Sequence, residues 1–150
     1  MTLAFGIPSA PESGQHFSDV PSGSPFFGYV EAANALGLMG GYSDGTFRPN
    51  EAVTRGQVAK VVAKAGVEQM GWELISPARA SFEDVGVGST YYTYVETALA
   101  NGALGGYTEG ATRTFRANER ATRGQIARIV NSAASAQFAR LPWGGLGSQK

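Results

Sequence analysis

The chain contains no cysteine. Disulfides, thiolate metal sites and a cysteine nucleophile are therefore excluded, although the compartment is not fixed, because exported proteins also do without cysteine. Histidine is almost as scarce. The single one, His16, lies in a Gly/Ser/Pro-rich entry segment and reads as a solvated loop residue, without the partners that catalysis or metal binding needs. Net charge is absent too, since 12 basic and 12 acidic residues cancel. With no basic run, the electrostatic footprint of a nucleic-acid binder is missing. No apolar run is long enough to span a bilayer, so no membrane insertion is expected. The opening MTLAFGIPSAPESG lacks a basic n-region and a full apolar stretch, so no signal peptide is visible. The expectation is a mature or trimmed form, or a chain not exported by that route.

What is present is a repeat. The 150 residues, 43% hydrophobic, suffice for one domain or two very small modules and are too apolar for global disorder. The stretch Phe17–Val62 aligns with Phe82–Val130. About 26 of roughly 46 aligned positions are identical, and the second copy carries an extra Ala111-Thr112-Arg113 in a turn. The domain plan is a 1–16 N-terminal segment, module 1 over 17–66, a 67–81 linker, module 2 over 82–134 and a 135–150 tail.

Each module predicts two helices and a turn. Ser24 and Ser89 are N-cap candidates, and Pro25 suits a first helical turn. Apolar residues then recur at helical spacing, including Phe26, Tyr29, Val30, Ala33 and Leu36, and Tyr91, Tyr94, Val95 and Ala98. Glycine ends this helix within LGLMGGY or NGALGGY. Asp44-Gly45 marks a turn, and Pro49 stops a helix from running through it. A second helix starts at Thr54 and closes near Gly66. Its stripe of Val58, Val61, Val62 and Ala65 is repeated by Ile126, Ile129, Val130 and Ala133, leaving Lys60, Lys64 and Arg128 for solvent. Such pairs of helices bury their stripes against a neighbouring copy, so the modules are expected to pack on each other or on a third unit supplied from elsewhere. The fold class expected is all-α, with tandem helix-loop-helix modules packed as a small helical bundle.

The repeated Thr-Arg-Gly-Gln carries the main functional question. Thr54 with Gln57, and Thr122 with Gln125, read as capping boxes, which are structural caps needing no ligand. Arg55 and Arg123 are not explained that way, because a cation opposes the positive end of the helix dipole. An anion held by free helix amides and a guanidinium fork would make sense of them, with Gly56 and Gly124 allowing close approach. A carboxylate of this chain, such as Asp19 or Asp84, is an equal candidate for that anion, so a ligand role and a structural ion pair both stand. Asp19 and Asp84 also read as turn or cap carboxylates. Arg48 and Arg116, in TFRPN and TFRAN, are a second repeated basic pair that could line the same groove. The clusters Phe26-Phe27-Tyr29 and Tyr91-Tyr92-Tyr94 read mostly as core, with a sugar-stacking wall as the alternative.

Chemistry of other kinds finds no support in the residues. YSDGTFRPN lacks the alternating carboxylates and terminal Glu of a calcium loop, so no metal is expected. There is no histidine near a nucleophile, no HExxH and no phosphate loop. Glu31 and Glu96 recur on a helix without a nameable partner. No catalytic residue, no enzymatic activity and no cofactor are expected.

With FxDV, YVE, GGYxDGTFRPNE and TRGQ in this order twice, the chain resembles the S-layer homology (SLH) family over about two thirds of its length. The resemblance implies an extracellular, cell-surface protein that holds to the envelope non-covalently by binding secondary cell-wall polysaccharide, often through a terminal pyruvylated, anionic sugar. It implies three modules in a three-pronged bundle, with an arginine of the ITRAE stretch touching the sugar in a groove between modules. That arginine corresponds to Arg55 in VTRGQ and Arg123 in ATRGQ, and the F.D aspartate to Asp19 and Asp84. The sequence departs in having Gly-Gln for Ala-Glu, two complete modules rather than three, and the Ala111-Thr112-Arg113 insertion. A self-assembling subunit of an extracellular filament, tube or S-layer, hence a homo-oligomer, is the second functional expectation, because two modules with exposed stripes invite a third from another chain.

Overall fold

A computed structural model describes residues 14–138. Residues 1–13 and 139–150, which make up most of the two end segments, lie outside the described residues. The chain divides into two compact units, one ending at Ala52 and one starting at Val53. The division falls inside the first repeat, so the second helix of that repeat belongs to the second unit.

The first unit contains one helix, α1 (Phe27–Ala35). It starts two residues later than its serine implies. Ser24 instead caps a preceding turn, its Oγ accepting from the Phe26 amide at 3.2 Å while the Phe27 amide donates to the Ser24 carbonyl at 3.0 Å. The helix ends as expected, with Gly37 in the left-handed region at φ 66° and the Leu38 amide donating back to the Ala33 carbonyl. Phe17, Val20, Phe27 and Val30 form the core, with Phe47 packed against it. Buried Glu31 now has its partner: its Oε1 accepts from the His16 amide at 3.1 Å, and its Oε2 meets His16 Nδ1. His16 is thus tied down by α1 rather than simply solvated.

The second unit holds α2 (Arg55–Met70), α3 (Tyr92–Ala100), a ribbon of β1 (Tyr107–Glu109) and β2 (Thr112–Thr114), and α4 (Arg123–Phe138). Helix α2 packs on both α3 and α4. Val58, Ala59, Val62 and Ala63 are buried along it, as are Val95 and Ala98 on α3. Ser89 repeats the displaced cap of Ser24, so α3 also begins two residues late. Glu96 repeats the role of Glu31, accepting from the Ser81 amide and hydroxyl at 2.7 Å each.

Two expectations need correction. Helix α2 does not close at Gly66 but runs to Met70, where Gly71 at φ 65° stops it. Gly66 is there for packing: a Cβ on it would lie 2.1 Å from the buried Trp72 indole. The all-α assignment also falls short, since the structure is mostly helical but includes the antiparallel β1–β2 ribbon. The insertion creates it. In the first unit the Tyr42 amide reaches the Thr46 carbonyl at 2.8 Å and closes the turn at once. Three added residues let Tyr107 pair with Thr114, and Glu109 with Thr112, across Gly110-Ala111.

Candidate functional site

Both repeats use one device to build the turn. Asp19 lies before α1, yet its Oδ1 accepts from the Phe47 amide at 2.8 Å and its Oδ2 from the Arg48 amide at 2.7 Å. Asp84 does the same with Phe115 at 2.7 Å and Arg116 at 2.6 Å. These bonds hold Arg48 and Arg116 at φ 60° and 62°, a left-handed backbone that costs a non-glycine residue about 1–2 kcal/mol. The Phe47 amide, ahead of Arg48's, holds the Asp19 carboxyl below its ordinary range. Both aspartates are therefore occupied by main-chain donors and pair with neither Arg55 nor Arg123.

The second arginine pair is also engaged. Arg48 binds Asp44 at 2.8 Å and Thr46 Oγ1 at 3.1 Å, and its guanidinium sits 4.1 Å over the Tyr42 ring. The Thr46 hydroxyl and then Arg48 draw the Asp44 carboxyl down to about 2. Arg116 pairs with Glu109, which aligns with Asp44, and sits 4.3 Å over Tyr107. All four of these ionic partners remain in contact with solvent, where such pairs are worth little.

The two capping boxes are formed as expected. Thr54 Oγ1 accepts from the Gln57 amide at 3.3 Å, and Gln57 Oε1 from the Thr54 amide at 2.8 Å. Thr122 and Gln125 reproduce this at 3.2 and 3.0 Å.

Beyond the caps, the two helix starts differ completely. At α2 the Arg55 amide donates to the Glu119 carbonyl at 2.9 Å and the Gly56 amide to the Ala117 carbonyl at 2.8 Å. The amides that an anion would use are thus taken by the turn of the second repeat. The Arg55 side chain is 4% exposed. Its Nε donates to the Phe115 carbonyl at 2.8 Å and its guanidinium Nη2 to the Gly105 carbonyl at 3.1 Å, between the Tyr107 and Phe115 rings at 4.9 and 4.6 Å. No carboxylate pairs with it among the described residues. Carbonyl dipoles and ring faces supply the negative potential instead. Gly56 gives room to an aromatic ring, not an anion, since a Cβ there would fall 2.6 Å from Tyr91. At α4, by contrast, Arg123 and Gly124 are exposed, and a Cβ on Gly124 would meet nothing closer than Thr122 Oγ1 at 4.0 Å.

Sequence reasoning therefore found the arginines, glycines and caps, and named Tyr91 in a cluster read mostly as core, but missed Tyr107 and the carbonyls that receive Arg55. The one available signal was the tyrosine retained in both GGY stretches. Among the described residues no group of acidic or histidine side chains is placed to hold a metal ion, and no helix is long and apolar enough to cross a membrane.

Residues 16–59 and 81–127 match the family model of the S-layer homology domain. The chain belongs to the S-layer homology domain family. Its SLH repeats are similar to cell surface glycoprotein 1 of Acetivibrio thermocellus, 29% identical over 69% of this chain and 5% of that protein. They are similar to a cellulosome-anchoring protein of the same organism, 33% identical over 69% of this chain and 22% of the relative. A shorter stretch, 41% of the chain, is 50% identical to outer membrane protein SlpA of Thermus thermophilus and covers 6% of it. This SLH chain thus spans less than a quarter of the length of each of these relatives.

Proposed function

We propose that this chain is a non-catalytic, extracellular SLH protein that anchors non-covalently to an anionic, pyruvylated secondary cell-wall polysaccharide. The observation that carries the reading is the pair of SLH repeats, together with their similarity to a protein named for anchoring cellulosomes. On this reading the candidate residues take different parts. Arg123, with Gly124 beside it, offers an open guanidinium at a helix start, where an anionic sugar gains from the helix dipole. Arg48 and Arg116 add partly exposed guanidinium groups on the turns. Arg55, Gly56, Asp19 and Asp84 act behind them by fixing the turns and the α2 entrance.

Co-sedimentation of the full chain with purified wall polysaccharide tests this. The parent chain pellets with the polymer, pellets less as salt rises, and stays in solution with polymer stripped of its pyruvyl groups. Arg123→Ala lowers the bound fraction. If Arg123→Ala pellets as well as the parent, the arginine mechanism is wrong. If the parent ignores the polymer altogether, the anchoring reading fails.

A further inference from the structure

We propose that the start of α4 docks on the first unit of a second copy of this chain, repeating between molecules the contact that α2 makes inside the second unit. The docked copy occupies the same α4 start that the anchoring reading gives to the sugar, so the two occupants compete there, and the test is run without polymer. It rests on finding both halves of one known interface open on the same chain.

The donor half is α4. Arg123, Gly124 and Ala127 are exposed, and Ile126, Val130 and Ala134 are half-buried. Their counterparts on α2, namely Arg55, Gly56, Ala59, Val58, Val62 and Gly66, are all buried. The residue types scarcely change, with Thr-Arg-Gly-Gln identical and Ile replacing Val at the first stripe position. The difference lies in what covers them.

The acceptor half is the first unit. In the second unit, Tyr91, Tyr94 and Tyr107 meet Gly56, Lys60 and Arg55 of α2, and these three and Asn101 are half-buried. The aligned residues of the first unit are Phe26, Tyr29, Leu36 and Tyr42, exposed by 46%, 41%, 37% and 42%. Four large side chains are thus open on one small unit at the positions aligned with those that face α2 in the second. Phe47 and Pro49 are likewise half-buried where their counterparts Phe115 and Ala117 are buried. Among the described residues, no hydrogen bond reaches the carbonyls of Gly40, Phe47, Pro49 or Glu51. Their counterparts at Gly105, Phe115, Ala117 and Glu119 are the four that receive Arg55 and Gly56.

The matching contacts follow residue by residue. Arg123 donates to the Phe47 and Gly40 carbonyls of the second copy. The amides of Arg123 and Gly124 donate to those of Glu51 and Pro49; proline at 49 is harmless, since only its carbonyl is needed. Phe26 lies on Gly124 as Tyr91 lies on Gly56. Arg48 covers one face of Tyr42, leaving the other for Arg123, as Arg116 and Arg55 share Tyr107. Because donor and acceptor are different surfaces, the contact is heterologous and repeats head to tail, giving a ring if the rotation closes and a filament if it does not.

The absence of cysteine allows a direct test. A Cβ on Gly56 would lie 2.8 Å from Tyr91 Cγ, one bond from the Tyr91 Cβ, so a Cβ pair at this contact is no further apart than the ~3.5–4.5 Å that a disulfide spans. Gly124→Cys on one full chain and Phe26→Cys on another, mixed and mildly oxidised without polymer, should give a covalent heterodimer. Sedimentation velocity should show mass rising with concentration, and Arg123→Ala should weaken self-association about tenfold or more with an unchanged circular dichroism spectrum. A chain that stays monomeric at millimolar concentration and gives no mixed crosslink overturns the proposal. So does efficient crosslinking within one doubly substituted chain at high dilution, or an oligomer indifferent to Arg123→Ala. Because no polymer is present, failure here leaves the anchoring reading standing, and failure of anchoring leaves this one standing.

Discussion

Arg55 and Arg123 begin helices with the same four residues and the same capping box, yet one guanidinium is almost wholly enclosed and the other stands in solvent. Local sequence therefore sets the helix start but not the fate of the arginine. What differs is the neighbour. Helix α2 is followed in the chain by another repeat, whose turn places carbonyls and two ring faces around Arg55. The comparison separates two roles that one motif can serve, a strut between repeats and an open cationic terminus.

The comparison can be broken by truncating each arginine. Arg55→Ala strands two carbonyl acceptors and empties a ring-lined site. We expect a loss of about 2–4 kcal/mol for Arg55→Ala, and less than about 0.5 kcal/mol for Arg123→Ala. Urea unfolding of the two variants measures both, and equal losses would dissolve the distinction. A smaller effect, of opposite sign at the two positions, is expected at the glycines. Gly56→Ala drives a methyl into the Tyr91 ring and costs about 1–3 kcal/mol. Gly124→Ala meets open space and gains up to about 0.5–1 kcal/mol from helix propensity. Thermal melts of the two single variants resolve the sign.

How much of this was legible depended on sequence distance. The capping boxes, the Gly37 stop of α1, the matching stop of α3 at Gly102 (φ 71°) and the Asp44-Gly45 turn are decided by residues within a few positions of each other, and they were readable. Asp19 was readable as a turn carboxylate, although the turn it holds is 28 residues away. The partners of Arg55 lie 50 and 60 residues away, and no local pattern encodes them. Gly66 was misread as a stop although Trp72 is near in sequence, because a glycine selected for room beside a packed indole looks the same as one selected for a helix end. The ribbon was missed because an insertion announces length, not pairing. For the proposed role of Arg123 in polysaccharide binding, sequence offered the residue but not its surroundings.

The smallest effect concerns acid. Asp44 and Asp19 both have lowered pKa values in the folded chain, Asp44 about 2 against an ordinary 3.8. A depressed carboxylate contributes its stabilisation fully above the unfolded value and loses it as pH falls through the folded one. The turn of the first unit should therefore hold at pH 5 and loosen between about pH 4 and pH 2. Amide chemical shifts of Thr46, Phe47 and Arg48 followed by NMR should move together through that window, and Asp19→Asn should shift them already at neutral pH.

The aspartate clasp on each turn has a wider consequence. By pinning the main chain at Phe47-Arg48 and again at Phe115-Arg116, it fixes where the loop must return while leaving its tip free to vary. The extra Ala111-Thr112-Arg113 is a change of length that the rest of the unit absorbs without altering either anchor. The loop tip is thus an evolvable position, open to lengthening or to a grafted peptide, on a scaffold whose geometry is set elsewhere.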